Sequence, residues 1–394
     1  MKKFFYENAP SGWRIAFLTL LLLWCASLFF KNAVYQISFA ALNLLFLAHL
    51  LYFKNYEILS EILKKTRFIA ICFVCLVATL AISNLLNEAV ISKKAWQSTL
   101  FFILRYGTIF LTLCYFYKLK FFDQNAVFAF LFVGLGILSA SVIYQFASSS
   151  DAIVFSSDSV RGGLSGALSN RNILGLFMGF GLCLSAVAIR RPLALKFVAL
   201  LLFAFFMIFS FSRAAWVGAF CALAFYGTLN LKSLNKKYLL FTVGFIAIFA
   251  VLLALSPSFE QRLAALFSGD SSGRTVIWSY ILEMAQEKPI LGYGLGSYIN
   301  LPGSPVLEHP EYNAPHNLFL EILLYSGVLG LVFYGLILFS VFKECIQSKQ
   351  FGVLTLLIYL LIDCQFDHGA YLSKEALSLA TILSFLAYRM RIER

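Results

Sequence analysis

Charge is scarce in this chain, and acidic charge is scarcer than basic. Charged residues make up 13% of its 394 positions, and 19 carboxylates stand against 31 lysines and arginines. Soluble domains carry about 25% charged residues, so a water-borne globular domain is excluded. With 61% hydrophobic residues and a mean hydropathy of +0.83, the chain reads as a polytopic membrane protein. So few carboxylates leave little from which to build a metal site. The eight cysteines lie in or beside apolar segments, outside the loops assigned to the oxidising side, so neither disulfides nor zinc is indicated. Cys72 and Cys75 have C-x-x-C spacing without a second pair or a histidine, and read as small polarizable packing residues. The run Gly292-Tyr293-Gly294-Leu295-Gly296 follows no strand and misses the G-x-G-x-x-G spacing. It reads as a close-packed turn, and a dinucleotide site is excluded. No cleavable leader is apparent, because the first apolar stretch, 15–30, is long enough to span and reads as an anchor that stays.

What is present is a series of apolar runs of membrane-crossing length. A bilayer core needs roughly 20 apolar residues per helix, which places spans near 13–30, 34–53, 68–86, 98–117, 126–147, 172–189, 194–211, 214–230, 238–255, 318–342, 351–367 and 374–390. The expected fold is therefore all-α, with about twelve transmembrane helices over residues 1–394 and one long outer loop, 256–317, that contains short helices. Lysine and arginine concentrate in cytoplasmic joints. That bias puts both termini inside, with Lys54, Lys64, Lys65, Arg67, Lys118, Lys120, Arg389 and Arg391 on the cytoplasmic side; Lys31, Lys93 and Lys94 run against it. The net charge of +12 is then mostly topology, and no nucleic-acid partner is implied.

Cations outside those joints need another explanation. Arg105, Arg161, Arg171, Arg213, Arg262, Arg274 and Lys288 fall on the outer side or within spans. Arg213 ends the turn Phe209-Ser210-Phe211-Ser212 between two spans, where an arginine either snorkels to the interface or meets an anion. In the long loop, 257–267 reads as a short amphipathic helix. A second helix is expected from Arg274 to about Glu287, capped by Ser272, with Ile277, Trp278, Ile281 and Met284 on one face. Arg274 in its first turn adds a side-chain cation to free backbone N–H groups, which together attract anions; the alternative is an interfacial helix lying on the membrane. His316, in Pro315-His316-Asn317, stands at the outer mouth of a span, whereas His309 lacks such a position. The shorter outer loop holds Arg161 and Arg171. Arg105 reads as one half of an intramembrane pair with Asp363 or Asp367.

Arginines and one histidine at the outer surface suit a lipid diphosphate. Arginine makes bidentate contacts to phosphate oxygens, and a histidine can take a proton from an attacking hydroxyl. Transfer of a glycan from a polyprenyl diphosphate follows as the expected chemistry. A solute transporter is the contrasting class, and it is disfavoured because the two halves show no internal repeat and the polar residues gather at one surface.

Several motifs in the second half also resemble the O-antigen ligase and polymerase superfamily. They are Ser212-Arg213 with Trp216, Gly273-Arg274 with Trp278, Pro289-Ile290-Leu291-Gly292-Tyr293-Gly294, Pro315-His316-Asn317 with Glu321, and Gly327-Val328-Leu329-Gly330. The resemblance implies a metal-independent, inverting glycosyltransferase of GT-C type without cofactor, in the bacterial inner membrane with its active site on the periplasmic face. It implies Arg213 and Arg274 as diphosphate binders and His316 as base, with Arg161, Arg171, Arg262 and Asn317 as substrate contacts. Within the superfamily the single long loop looks more like a ligase, which moves glycan from undecaprenyl diphosphate to lipid A-core. A polymerase or a protein O-oligosaccharyltransferase is the alternative. On this reading the long loop is a lid that supplies Arg274 and His316.

Overall fold

In hydrocarbon every backbone amide needs a partner within its own segment, and a helix supplies one. The computed structural model describes residues 11–30, 33–148, 163–168, 170–230, 263–264, 273–310, 312–367, 371 and 373–394. The principal helices among them are α1 (Ser11–Ser27), α2 (Ala33–Phe53), α3 (Tyr56–Lys65), α4 (Arg67–Leu86), α5 (Ala95–Lys118), α6 (Gln124–Ser148), α7 (Arg171–Ala188), α8 (Leu193–Phe209), α9 (Arg213–Leu229), α10 (Arg274–Glu287), α11 (Leu318–Gln347), α12 (Phe351–Asp363) and α13 (Lys374–Glu393). Of these, α2, α4, α5, α6, α7 and α11 are long and apolar enough to cross a membrane, and α1, α8, α9 and α12 are shorter apolar helices. The chain is a helical, multi-pass membrane protein. The expected spans fall on these helices, except 238–255, which lies outside the described residues together with Arg161, Arg262, Ser272 and all but Leu263 and Ala264 of the helix expected over 257–267. Helix α3 was expected as a joint. Its 10 residues bury Ile58 and Ile62 and are too short to register as a span.

Contacts divide the chain into two compact units, residues 1–131, 272–354 and 364–394, and residues 132–271 and 355–363. In the first, joints gather by charge. Lys65 and Lys118 both reach Glu61 Oε1, at 2.7 and 2.9 Å, and both donate to the Ile392 carbonyl. Hydrogen bonds from Lys65, then Lys118, hold the Glu61 carboxyl below its ordinary value. At the other end Lys374 Nζ donates to the Phe30 carbonyl at 2.9 Å, and Asn300 Nδ2 to that of Val90 at 3.1 Å. Basic joints assigned to one side thus meet one another.

Helix α13 is held by hydroxyls spaced along one face. Tyr35 Oη and Ser378 Oγ lie 2.7 Å apart, Tyr106 Oη and Ser384 Oγ 3.1 Å, and Ser340 Oγ and Tyr388 Oη 2.5 Å. Between apolar helices in lipid such bonds carry association that the hydrophobic effect cannot. Helix α5 widens into a π-helical segment at Ile103–Thr108, and Thr381 Oγ1 donates to the Arg105 carbonyl at 3.1 Å. The expected acid partner of Arg105 is not found among the described residues. Its guanidinium lies instead over the rings of Phe101, Tyr35 and Phe39, at 4.9, 5.7 and 5.9 Å.

Helix α11 is broken at Gly327 (φ 63°, ψ −165°). Carbonyls freed by the break must find donors elsewhere, and the segment 289–294 supplies them. Tyr293 N donates to the Leu324 carbonyl at 2.7 Å and Gly294 N to that of Tyr325 at 3.1 Å. In return Val328 N donates to Pro289 and Leu329 N to Ile290, at 2.8 and 3.3 Å. This docking is why a proline- and glycine-rich run faces Gly327: an added Cβ at Gly292 would press on the Leu324 carbonyl and the amides of Ser326 and Gly327. Two asparagines, Asn84 in the last turn of α4 and Asn87 just past its end, hold the same run. Asn84 Oδ1 accepts from Leu295 N at 2.7 Å, its Nδ2 donates to Thr99 at 3.0 Å, and Asn87 Nδ2 donates to the Gly292 carbonyl at 3.2 Å. Asn84→Leu leaves the buried Leu295 N–H without its acceptor, so a loss of about 1–3 kcal/mol is expected. A lower melting temperature of the purified protein checks it.

Candidate active site

The first unit brings two of the motifs onto one carboxylate. His316 Nδ1 lies 3.2 Å from Asp367 Oδ1, and Arg274 Nη2 lies 4.0 Å from the same oxygen. The Asp367 side chain is 5% exposed, that of Arg274 17% and that of His316 25%. The acid is thus withdrawn from water while the two groups it holds keep an open edge. With the proton on Nδ1, His316 donates to Asp367 and leaves Nε2 as an acceptor.

Local structure explains the placement. His316 has φ 49°, the left-handed region that costs most side chains energy and is more open to histidine than to branched ones. Asn317 then caps α11, its Oδ1 accepting from Phe319 N and Leu320 N, both at 2.9 Å, while Nδ2 donates to the Gln365 carbonyl at 3.0 Å. Leu318 N donates to the Cys364 carbonyl at 2.9 Å. The stretch 316–318 is therefore stitched to 364–367, which is what brings Asp367 to His316. Asn317, expected to contact substrate, spends most of its amide on this stitching.

Arg274 opens α10 behind Gly273, whose φ of 79° is left-handed and which supplies no side-chain cap. Ser272, the expected cap, lies outside the described residues. An added Cβ at Gly273 would run into the Tyr312 ring, so the glycine is required twice. Helix α10 has no acid in its first turn, and Arg274 Nε is buried with no acceptor among the described residues. A helix start beside a guanidinium favours an anion. Further along, Trp278 Nε1 donates to the Pro315 carbonyl at 3.2 Å, tying α10 to the histidine segment. Tyr293 Oη donates to Glu287 Oε2 at 2.5 Å. Burial pushes the phenols of Tyr280 and Tyr298 up to about 12, and burial with the Glu287 bond pushes that of Tyr293 up as well. All three phenols stay protonated near neutrality, so none of them is a ready proton acceptor.

The second unit holds Arg171 and Arg213, each the first residue of its helix. Asn170 Oδ1 caps α7 through Asn172 N at 2.7 Å, and Ser212 Oγ caps α9 through Ala215 N at 3.5 Å. An added Cβ at Gly175 would touch Ser212 and Ser210, so the starts of α7 and α9 lie side by side. Arg213 is 8% exposed, which speaks against the snorkelling alternative. A cation at a helix start opposes the macrodipole, and two of them at adjacent starts form a positive end. Gly163 packs against Phe211, and Leu164 N donates to the Phe209 carbonyl at 2.9 Å, so the shorter loop braces this turn.

Of the expected site residues, His316 and Arg274 come together with Asp367, Asn317 supports them, and Arg213 and Arg171 lie in the second unit. Arg161 and Arg262 lie outside the described residues. His309 packs on Tyr312, with ring centroids 4.9 Å apart. Asp367 is the residue whose part the sequence analysis missed. A carboxylate closing an otherwise apolar run was the available signal, and it was spent on Arg105.

Residues 197–335 match the family described as O-antigen ligase. Three rickettsial proteins carry the provisional name "polysaccharide ligase" and are similar to part of the chain. The one from Rickettsia conorii is 33% identical over 92 residues, covering 21% of this chain and 22% of its own length. Those from Rickettsia felis and Rickettsia typhi are 33% identical over 88 and 84 residues, covering 20% and 19% of this chain and 22% and 21% of theirs. The aligned stretch thus spans about a fifth of these relatives.

Proposed function

We propose that this membrane protein, whose residues 197–335 match the family described as O-antigen ligase, is a ligase-type glycosyltransferase. It moves a glycan from an undecaprenyl-diphosphate carrier to lipid A-core oligosaccharide. The observation that carries the reading is the single carboxylate, Asp367, that holds both a base and an anion binder, at 3.2 and 4.0 Å. The acceptor hydroxyl attacks the anomeric carbon of the donor, and its proton passes to His316 Nε2. The bond from that carbon to the diphosphate oxygen breaks, with inversion, and the electron pair leaves on the diphosphate. Arg274 and the start of α10 stabilise the departing anion. Asp367 orients the imidazole and balances the imidazolium that forms. Arg213 and Arg171 are assigned to lipid phosphate in the second unit, and Asn317 to positioning His316. Neither metal nor cofactor enters this scheme.

The reading places about twelve spans in the bacterial inner membrane, with residues 256–317 inserted as a periplasmic loop and both termini cytoplasmic. Segregation of Lys65, Lys118 and the chain end from the Lys374 and Asn300 joints supports this alternation. The glycolipids of a strain lacking the gene test the assignment. Loss of a ligase leaves long carrier-linked chains and bare core. Core bearing a single repeat would make the protein a polymerase, and an unaltered profile would sink both.

A further inference from the structure

Arg105 is a buried charge that the proposed transfer does not use. It sits in the π-helical segment of α5 and is 9% exposed. Its Nε is buried with no acceptor among the described residues. Local π-helix recurs at functional sites because it displaces one side chain from the regular ladder. The three rings of Phe101, Tyr35 and Phe39 cover the guanidinium. Cation–π contact engages the face of the group and leaves its N–H donors, which lie in the guanidinium plane, unanswered. A phosphate takes that fork bidentately, whereas a buried charged donor left unmet costs more than a neutral one.

The surroundings favour an anion that belongs to a lipid. Lys374 Nζ stands 5.0 Å from the centroid of the same Tyr35 ring, and its nearby acid is Glu375, at 3.7 Å. Two cations therefore share one ring. Lys374 also donates to Phe30, just past α1, so this lysine lies at a helix end, where lipid headgroups are expected. Close in sequence to Tyr35 and Phe101, Val34, Ile37 and Leu100 are exposed apolar side chains, 44%, 66% and 52% accessible, which suit acyl or prenyl chains. We infer that Arg105, framed by Tyr35, Phe39 and Phe101 and backed by Lys374, binds the phosphate of a phosphorylated membrane lipid.

Native mass spectrometry of the full-length protein in dodecyl maltoside tests this, with dioleoyl phosphatidic acid, dioleoyl phosphatidylcholine or inorganic phosphate added separately. Phosphatidic acid is expected to be retained over phosphatidylcholine by at least about fivefold, and Arg105→Gln to remove most of that preference. Arg105→Lys keeps the charge and the ring contacts but lacks the fork, and it serves if the glutamine variant does not fold; it too is expected to lose the preference. The same loss is expected in an Arg213→Gln, Arg274→Gln background, which removes the other candidate phosphate binders. Equal retention by the parent and the Arg105 variants overturns the inference. Retention of inorganic phosphate with no preference between the lipids overturns the lipid assignment. The readout is binding, so the result stands apart from whether Arg274 and His316 carry glycan transfer.

Discussion

His316→Ala lowers glycan transfer by about 10²- to 10⁴-fold, the range that removing a positioned general base covers. Asp367→Asn keeps the shape of the site but removes the charge that steadies the imidazolium and selects its tautomer, so a loss of about 10²-fold or more, mainly in kcat, is expected. The asparagine variant separates this reading from a structural one. If His316 only packs, with its Nδ1 bond to Asp367 serving as a brace, the near-isosteric amide should leave transfer almost intact. The measurement is transfer from carrier-linked glycan to core acceptor in membranes, normalised to protein that elutes as a single species in detergent. Undiminished transfer by His316→Ala would remove the base from the mechanism, and undiminished transfer by Asp367→Asn would remove its orienting partner.

Gly327→Ala is expected to abolish accumulation of folded protein. The φ of 63° with ψ of −165° lies in a region that only glycine occupies comfortably. An added Cβ would also meet the Ile290 carbonyl and Leu291 N in the docked segment. Neither neighbour is a flexible side-chain end that could swing aside. Backbone strain and the loss of four inter-segment hydrogen bonds together cost more than about 3 kcal/mol. Gly335→Ala in the same helix is the control, since nothing lies within 4 Å of the added carbon. Fluorescence-detected size exclusion of tagged protein checks both, with the first expected to be lost or aggregated and the second to match the parent. Normal accumulation of Gly327→Ala would show that the break tolerates a side chain.

The spans were legible because hydrocarbon imposes one rule on backbone and side chain alike, so that runs such as 33–53 and 67–86 announce their helices directly. Helix α10 was equally readable, from Ile277, Ile281 and the arginine at its start. Three features were not. The partner of His316 lies 51 residues further on, across a helix and its return, and no local pattern states which of two acids in an apolar run will meet it. The break at Gly327 depends on a second segment whose backbone fills it, a long-range fact hidden behind two ordinary-looking glycine runs. Arg105 was assigned an acid on charge arithmetic, whereas three rings took that place because aromatic faces need no desolvation of a second ion.

The docking of 289–294 into the Gly327 break has a mechanical consequence. Helix α10 is fastened near its start through Trp278 to Pro315, and just past its end through Tyr293 and Gly294 to the carbonyls of Leu324 and Tyr325. The first half of α11, with His316 at its head, is thus pinned to one body at two points a helix length apart. Two anchors remove the hinge that one would leave. The stretch from Arg274 to Gly294 is a fixed wall rather than a flap, so under the proposed function the lipid-linked donor has to come to His316 along it.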